Sequence, residues 1–277
     1  MDTNVEAVKS VEPARRLFEN LFIKRHDTET FQVLADGLAA CIQNARRLYD
    51  DADLLFKKDK WPSGTFLLTT AHEEIAKTYI IVDMCRLDPY RHRSTLIRLC
   101  YAFYDHIYKY AYSEVVHLAK DQNIQDAQRD WQECLDKWTP DVDEEETSTS
   151  LIHETHFLRE LPIYIDFLDY AQRWSAPRAD LAEYTYSMGL GIVPARTELE
   201  CLEKTLEIGL FSSTVLGLVN MQFSTHYISD KTVGALVRNL HAKTAQIIQK
   251  ETGIPENDYL ESALNAIPLY HFTTLRT

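Results

Sequence analysis

The stretch WPSGTFLLTTAHEEIAKTYIIVDMCRLDPYRHRSTLIRLCYAFYDHIYKYAYSEVVHLA (Trp61–Ala119) decides the fold. It reads as two long helices that meet at Asp88-Pro89. Pro62 stands in the first turn of the first helix, where its missing N–H would have no intrahelical partner anyway. Asp88 before Pro89 supplies a cap and first-turn pair for the second. At about 100° per residue, Leu67, Ala71, Ile75, Thr78, Val82 and Cys85 make one apolar stripe, and Glu74 falls inside it. On the second helix the stripe is Leu96, Leu99, Phe103, Ile107 and Tyr110, and His106 falls inside that one. A carboxylate on a core face is costly unless it is paired and hydrogen-bonded.

The two misplaced groups stand at similar heights. Counted from the break, Glu74 is about 21 Å along its helix and His106 about 25 Å along the other, at about 1.5 Å per residue. Antiparallel packing therefore predicts a Glu74–His106 contact. Glu73 and Lys77 flank the first, and Arg98, Asp105 and Lys109 flank the second. Two readings stay open at this point: a groove holding a carboxylate, an imidazole and several cations, or a buried structural pair with solvated lysines at its rim.

Working outward, the 277 residues suffice for one large domain or two small ones. Only 8 Gly and 9 Pro argue for helices over a loop-rich β protein. Helical periodicity holds in nearly every segment, so the predicted class is all-α: a helical bundle built on a long antiparallel hairpin, with additional C-terminal helices. Ahead of the hairpin, residues 5–25 read as an amphipathic helix interrupted near Pro13. Asp27 or Thr28 then caps a helix over about 29–58, with Leu34, Leu38, Cys41, Ala45, Leu48, Ala52 and Phe56 as its stripe and Asn44 at the edge. Beyond the hairpin, 123–138 reads as a helix. TPDVDEEETSTS (Thr139–Ser150) is the clearest loop. It divides an N-terminal unit (1–138) from a C-terminal unit (152–277) across a linker at 139–151. Further helices are expected from Pro177 to about Leu190, from a Thr197 cap to about Phe223, from Asp230 to Thr252, and briefly after Pro255.

The five cysteines have no C-x-x-C spacing and read as reduced thiols of a cytoplasmic protein. No apolar leader opens the chain, and the most apolar run, Ile208 to Phe223, is too short to span a bilayer. No membrane association is expected. A net charge of −13 excludes strong non-specific nucleic-acid binding. Yet Arg86, Arg91, Arg93, Arg98 and Lys109 cluster around the second helix, which leaves room for a local cationic groove. Glu114-x-x-His117 lacks the second Glu-x-x-His that a di-iron bundle requires. His153-x-x-His156 has no third ligand. Neither metal nor cofactor is expected, and no phosphate loop, nucleophile elbow or H-E-x-x-H is present.

Asn44-Ala45 with Asp51-Ala52, Glu73-Glu74 with Lys77, and His106 with Lys109, in this order, resemble the AbiV family of abortive-infection proteins, which are grouped with the HEPN ribonuclease-like helical domains. The segment LPIYIDFLDYAQRWSAP (Leu161–Pro177) resembles the Tyr-x-Asp piece that follows in that family. The likeness covers roughly residues 30 to 200, and it departs at Ala76, where the family pattern usually has glycine. The resemblance implies a HEPN-like core, a role in phage defence, and a metal-independent ribonuclease that arrests translation when triggered. It also implies RNA as the substrate, a homodimer, and a phage-encoded protein as trigger. The catalytic candidates are Glu74, His106, Lys109 and Lys77, with Arg98, Glu73 and Asn44 as substrate-binding candidates. The alternative is a catalytically inactive HEPN-like binding module that senses a phage or host protein. Arg86 and His92 form a rival pair at the Arg-to-His spacing of the wider superfamily, but they straddle the Pro89 break.

Overall fold

The computed structural model describes residues 12–106, 108, 109, 112, 167–168, 173–174, 192–224 and 233–254. Residues 12–18 are helical and run into a π-helical turn, Glu19–Ile23. Six longer helices follow: α1 (Asp27–Phe56), α2 (Trp61–Cys85), α3 (Arg93–Tyr104), α4 (Ile192–Glu207), α5 (Ser213–Phe223) and α6 (Val233–Thr252). The described sheet is a single antiparallel pair of two-residue strands, β1 (Phe167–Leu168) and β2 (Arg173–Trp174). The class is all-α, as the periodicity requires. The linker at 139–151, the helices expected over 123–138 and 177–190, the last short helix, and the Glu114/His117 and His153/His156 pairs lie outside the described residues.

α1 buries the whole stripe read from the sequence, Leu34 through Phe56. Its N-cap is His26 and not Asp27 or Thr28, with no side-chain cap bond. A short turn joins it to α2, and Asp59 there takes the left-handed conformation at φ 55°, which Asp tolerates better than most residues. Gly64 lies under this turn because a Cβ there would sit 2.5 Å from the ring of Phe56. α2 is the central helix. Sixteen of its 25 residues are buried, so it has no single core face, as a helix enclosed by others requires. α1 covers it on one side, with Gly37 of α1 bringing the backbones close to Ile81.

Three expectations about helix ends need correction. Asp88 does not cap α3: its carboxylate accepts from the N–H groups of Tyr90 and Arg91, closing a turn, and α3 starts only at Arg93. The second helix of the hairpin does not run on to Ala119 either. It stops at Tyr104, because Asp105 is extended (φ −86°, ψ 126°) and its carboxylate accepts from Tyr108 N–H, capping a new helical turn. Finally, the helix expected from Thr197 to Phe223 is two. α4 starts earlier, at Ile192, with Pro194 in its first turn. It ends at Glu207, ahead of the left-handed Gly209 (φ 83°), and Ser212 caps α5.

The described C-terminal helices share the main core. Leu199, Leu202, Phe211 and Leu216 join the cluster built from α1, α2 and α3. Arg46 of α1 makes a two-pronged bond to Glu203 of α4, both arms 2.6 Å. Asn220 of α5 donates to the carbonyls of Cys85 and Leu87 at the end of α2. A smaller cluster, Leu210, Val215, Val219, Phe223, Ala245 and Ile248, packs α5 against α6.

Candidate functional site

The site grows from two adjacent carboxylates halfway along α2. Glu73 points into the protein, with 4% of its side chain exposed. Its Oε2 accepts from His106 Nδ1 and from Lys109 Nζ, each at 2.8 Å. A carboxylate so placed only accepts, so the imidazole proton sits on Nδ1. Burial alone would raise the Glu73 pKa, but the His106 hydrogen bond and the Lys109 charge outweigh it and hold the carboxyl at about 2. Glu73 is therefore ionised at any physiological pH. Lys109 is equally sealed, at 4% exposed, and burial draws its ammonium below the ordinary value while Glu73 opposes the shift.

Glu74 belongs to a second, shallower pair. It accepts from Lys77 Nζ at 2.6 Å, and the Cys41 thiol of α1 hydrogen-bonds to it. Burial first, and the Glu74 charge next, push that thiol up to about 11, so it stays protonated. Lys77 also lies over the ring of Phe103 on α3, 5.4 Å from its centre. Phe103 and Tyr104 meet edge to face at 5.5 Å, and so do Tyr101 and Tyr108 at 5.7 Å.

The expected Glu74–His106 contact is thus replaced by Glu73–His106. Two causes combine. α2 is buried nearly all round, so a face argument cannot choose between neighbouring residues. The break at Asp105 also moves His106 off the stripe of α3, leaving 49% of its side chain exposed where a core position was expected. Past the break, the partners advance from Glu73 (His106, Lys109) to Asp83 (Tyr112), in the direction in which α2 itself runs. An unbroken antiparallel helix would step the other way.

The remaining candidates lie as follows. Asn44 is half-buried on α1 and accepts from Arg47 one turn on. Arg98 is exposed on α3. The rival pair has separate partners: Arg86 binds Asp83 at 3.0 Å in the buried Tyr112 network and stacks over Phe223, while the His92 ring accepts from Asp88 N–H. Burial pushes Asp83 up, and Arg86 and the Tyr112 hydroxyl pull it back. Sequence reasoning missed the Asp83–Arg86–Tyr112 network. Its signal was an Asp and an Arg three apart at the end of an apolar helix. Among the described residues no group of three metal-ligating side chains occurs, and no helix is long and apolar enough to cross a membrane.

The family model for AbiV, a HEPN type, matches residues 33–188, a span that contains this entire cluster. The chain belongs to the AbiV family. That membership implies an abortive-infection role on a HEPN-like helical frame. No curated protein and no solved structure matches the chain.

Proposed function

We propose that this AbiV protein is a metal-independent ribonuclease whose working group is His106, held by Glu73. The observation that carries the reading is a half-exposed imidazole whose Nδ1 is fixed by a buried, ionised carboxylate. Such a partner sets one tautomer and leaves Nε2 as the basic nitrogen. Attack of a ribose 2′-OH on the adjacent phosphorus forms the O2′–P bond and breaks the P–O5′ bond. His106 Nε2 takes the 2′ proton, and an acid gives one to the departing 5′ oxygen. A homodimer supplies that acid as the imidazolium of a second copy's His106. Lys77, at 20% exposure, stands at the rim to stabilise charge on phosphate, while Lys109 acts from within by keeping Glu73 ionised. DNA lacks the 2′-OH and is not cut. With a net charge of −13 and few cations to meet phosphates, affinity is modest and only weakly salt-dependent.

The test is incubation of purified protein with total RNA in EDTA. The expected products carry 2′,3′-cyclic phosphate ends, and His106→Ala lowers the rate by about 10²–10⁴-fold. RNA left intact by the wild type, or cut equally by His106→Ala, overturns the reading. One observation favours the binding-module alternative: Glu73 and Lys109 are sealed as a structural pair would be. Under that alternative His106→Ala leaves phage defence unchanged in cells.

A further inference from the structure

The ribonuclease reading says nothing about which RNA is taken, and the cluster around His106 contains side chains that it does not use. Tyr104 is the last residue of α3, 42% exposed, and is separated from His106 only by Asp105. Two Cα steps of about 3.8 Å keep the backbones of Tyr104 and His106 within about 7.6 Å. Its ring is supported edge to face by Phe103, whose own ring the Lys77 ammonium covers. Lys77 is in turn oriented by Glu74, and Glu74 by Lys77 and Cys41. An exposed aromatic ring, braced by a second ring that a lysine ammonium covers and two residues along the chain from the site imidazole, offers the π-face on which unpaired bases stack. A core role for Tyr104 is not supported, since the buried aromatics of the described core are at most 8% exposed.

Resting on the ribonuclease reading, we infer that Tyr104, braced by Phe103 and Lys77, is a stacking platform for a base next to the scissile phosphate, so that the substrate is unpaired RNA. A duplex keeps its bases stacked on each other and offers none to Tyr104. Selection by stacking tolerates any base, so the preference is for single strands and loops over a particular sequence.

The experiment measures binding of a single-stranded oligoribonucleotide, made uncleavable by 2′-O-methyl groups, and cleavage of its unmodified form, each against the matching duplex. The full-length protein is compared with Tyr104→Ala, Tyr104→Phe and His106→Ala, and melting curves check that each is folded. The wild type is expected to prefer the single strand. Tyr104→Ala should weaken binding roughly 5- to 100-fold and raise KM correspondingly. Tyr104→Phe, which keeps the ring and removes the hydroxyl, should bind as the wild type does. His106→Ala should bind normally without cutting. Equal binding by wild type and Tyr104→Ala, a Tyr104→Phe variant as weak as Tyr104→Ala, preference for the duplex, or no binding by the wild type overturns the inference. Tyr104-dependent binding without any cleavage supports the platform and sinks the ribonuclease reading alone.

Discussion

Glu73 and Glu74 are neighbours of identical chemistry, about 100° apart on α2, yet it is Glu73 that holds the His106 imidazole and the sealed Lys109 ammonium. Its carboxyl is held at about 2 against an ordinary 4.5. A depressed carboxyl pKa contributes stability that is fully present above about pH 4.5 and lost as pH falls through about 2. The contribution is on the order of 3 kcal/mol. Glu73→Gln should therefore cost stability at pH 7, where it also strands the buried Lys109 ammonium, and cost progressively less towards pH 2. Combining it with Lys109→Met should recover part of the loss, because both buried charges then go together. Urea unfolding of the wild type and the two variants at several pH values checks this, and a pH-independent cost would show that Glu73 is not the linked group. Part of this site was legible in the sequence. Periodicity singled out Glu74 and His106, their nearly equal distance from the helix break placed them together, and Glu73, Lys77 and Lys109 were read as the charges flanking them. Periodicity could not pick the right glutamate, because stripe reasoning assumes a helix with one buried face and α2 has none.

Element boundaries decide where those side chains go. The stripe of α1 was readable to the residue because α1 packs by one face, and its start was misread only at the cap. The hairpin's second arm was read as continuous because Phe103, Ile107 and Tyr110 keep helical spacing across Asp105. A single capping aspartate inside such a run leaves the periodicity intact and still turns the chain. Asp105 Oδ1 accepts from Tyr108 N–H at 3.2 Å, which starts the turn carrying His106 and Lys109. Asp105→Ala should thus destabilise the protein by about 1 kcal/mol, as loss of an N-cap does. It should also lower the proposed ribonuclease activity more than that loss explains, because the imidazole is no longer delivered to Glu73. Asp105→Asn, which keeps the acceptor, should restore both. Thermal melts beside cleavage rates separate the two effects, and a variant that loses stability with full activity would show that the cap does not position His106. The split between α4 and α5 has the same origin. Gly209 and Ser212 carried the break, and the apolar run around them masked it.

At the scale of the whole molecule, ties between distant parts of the chain hold the described C-terminal helices, which follow the span 33–188 that the family model matches, against the hairpin. Arg46 and Glu203 join α1 to α4 across 157 positions. Tyr79 of α2 hydrogen-bonds Glu198, and Gly217 of α5 lets its backbone approach the ring of Phe31. The Asn220 amide covers carbonyls that α2 leaves at its end, where the site-bearing helix would otherwise fray. Long-range pairs of this kind carry no periodic signal, so the sequence reading drew two units and a linker without showing how firmly the second closes the first. A chain ending at Trp138 retains α1, α2 and α3 but loses each of these partners. It also uncovers the core surface that Leu199, Leu202, Phe211 and Leu216 cover. Arg46 can turn to solvent at little cost, since exposed ion pairs contribute little. The apolar surface cannot, and each large side chain it leaves exposed forfeits about 1.5–3 kcal/mol. With total stabilities of only about 5–15 kcal/mol, a few such losses remove most of the margin. The shortened chain should therefore aggregate or melt without a cooperative transition, and it should not bind or cut RNA although every site residue is present. Size-exclusion chromatography and thermal circular dichroism decide the matter: a soluble fragment melting cooperatively near the full-length temperature would mean that the first three helices form a complete core by themselves.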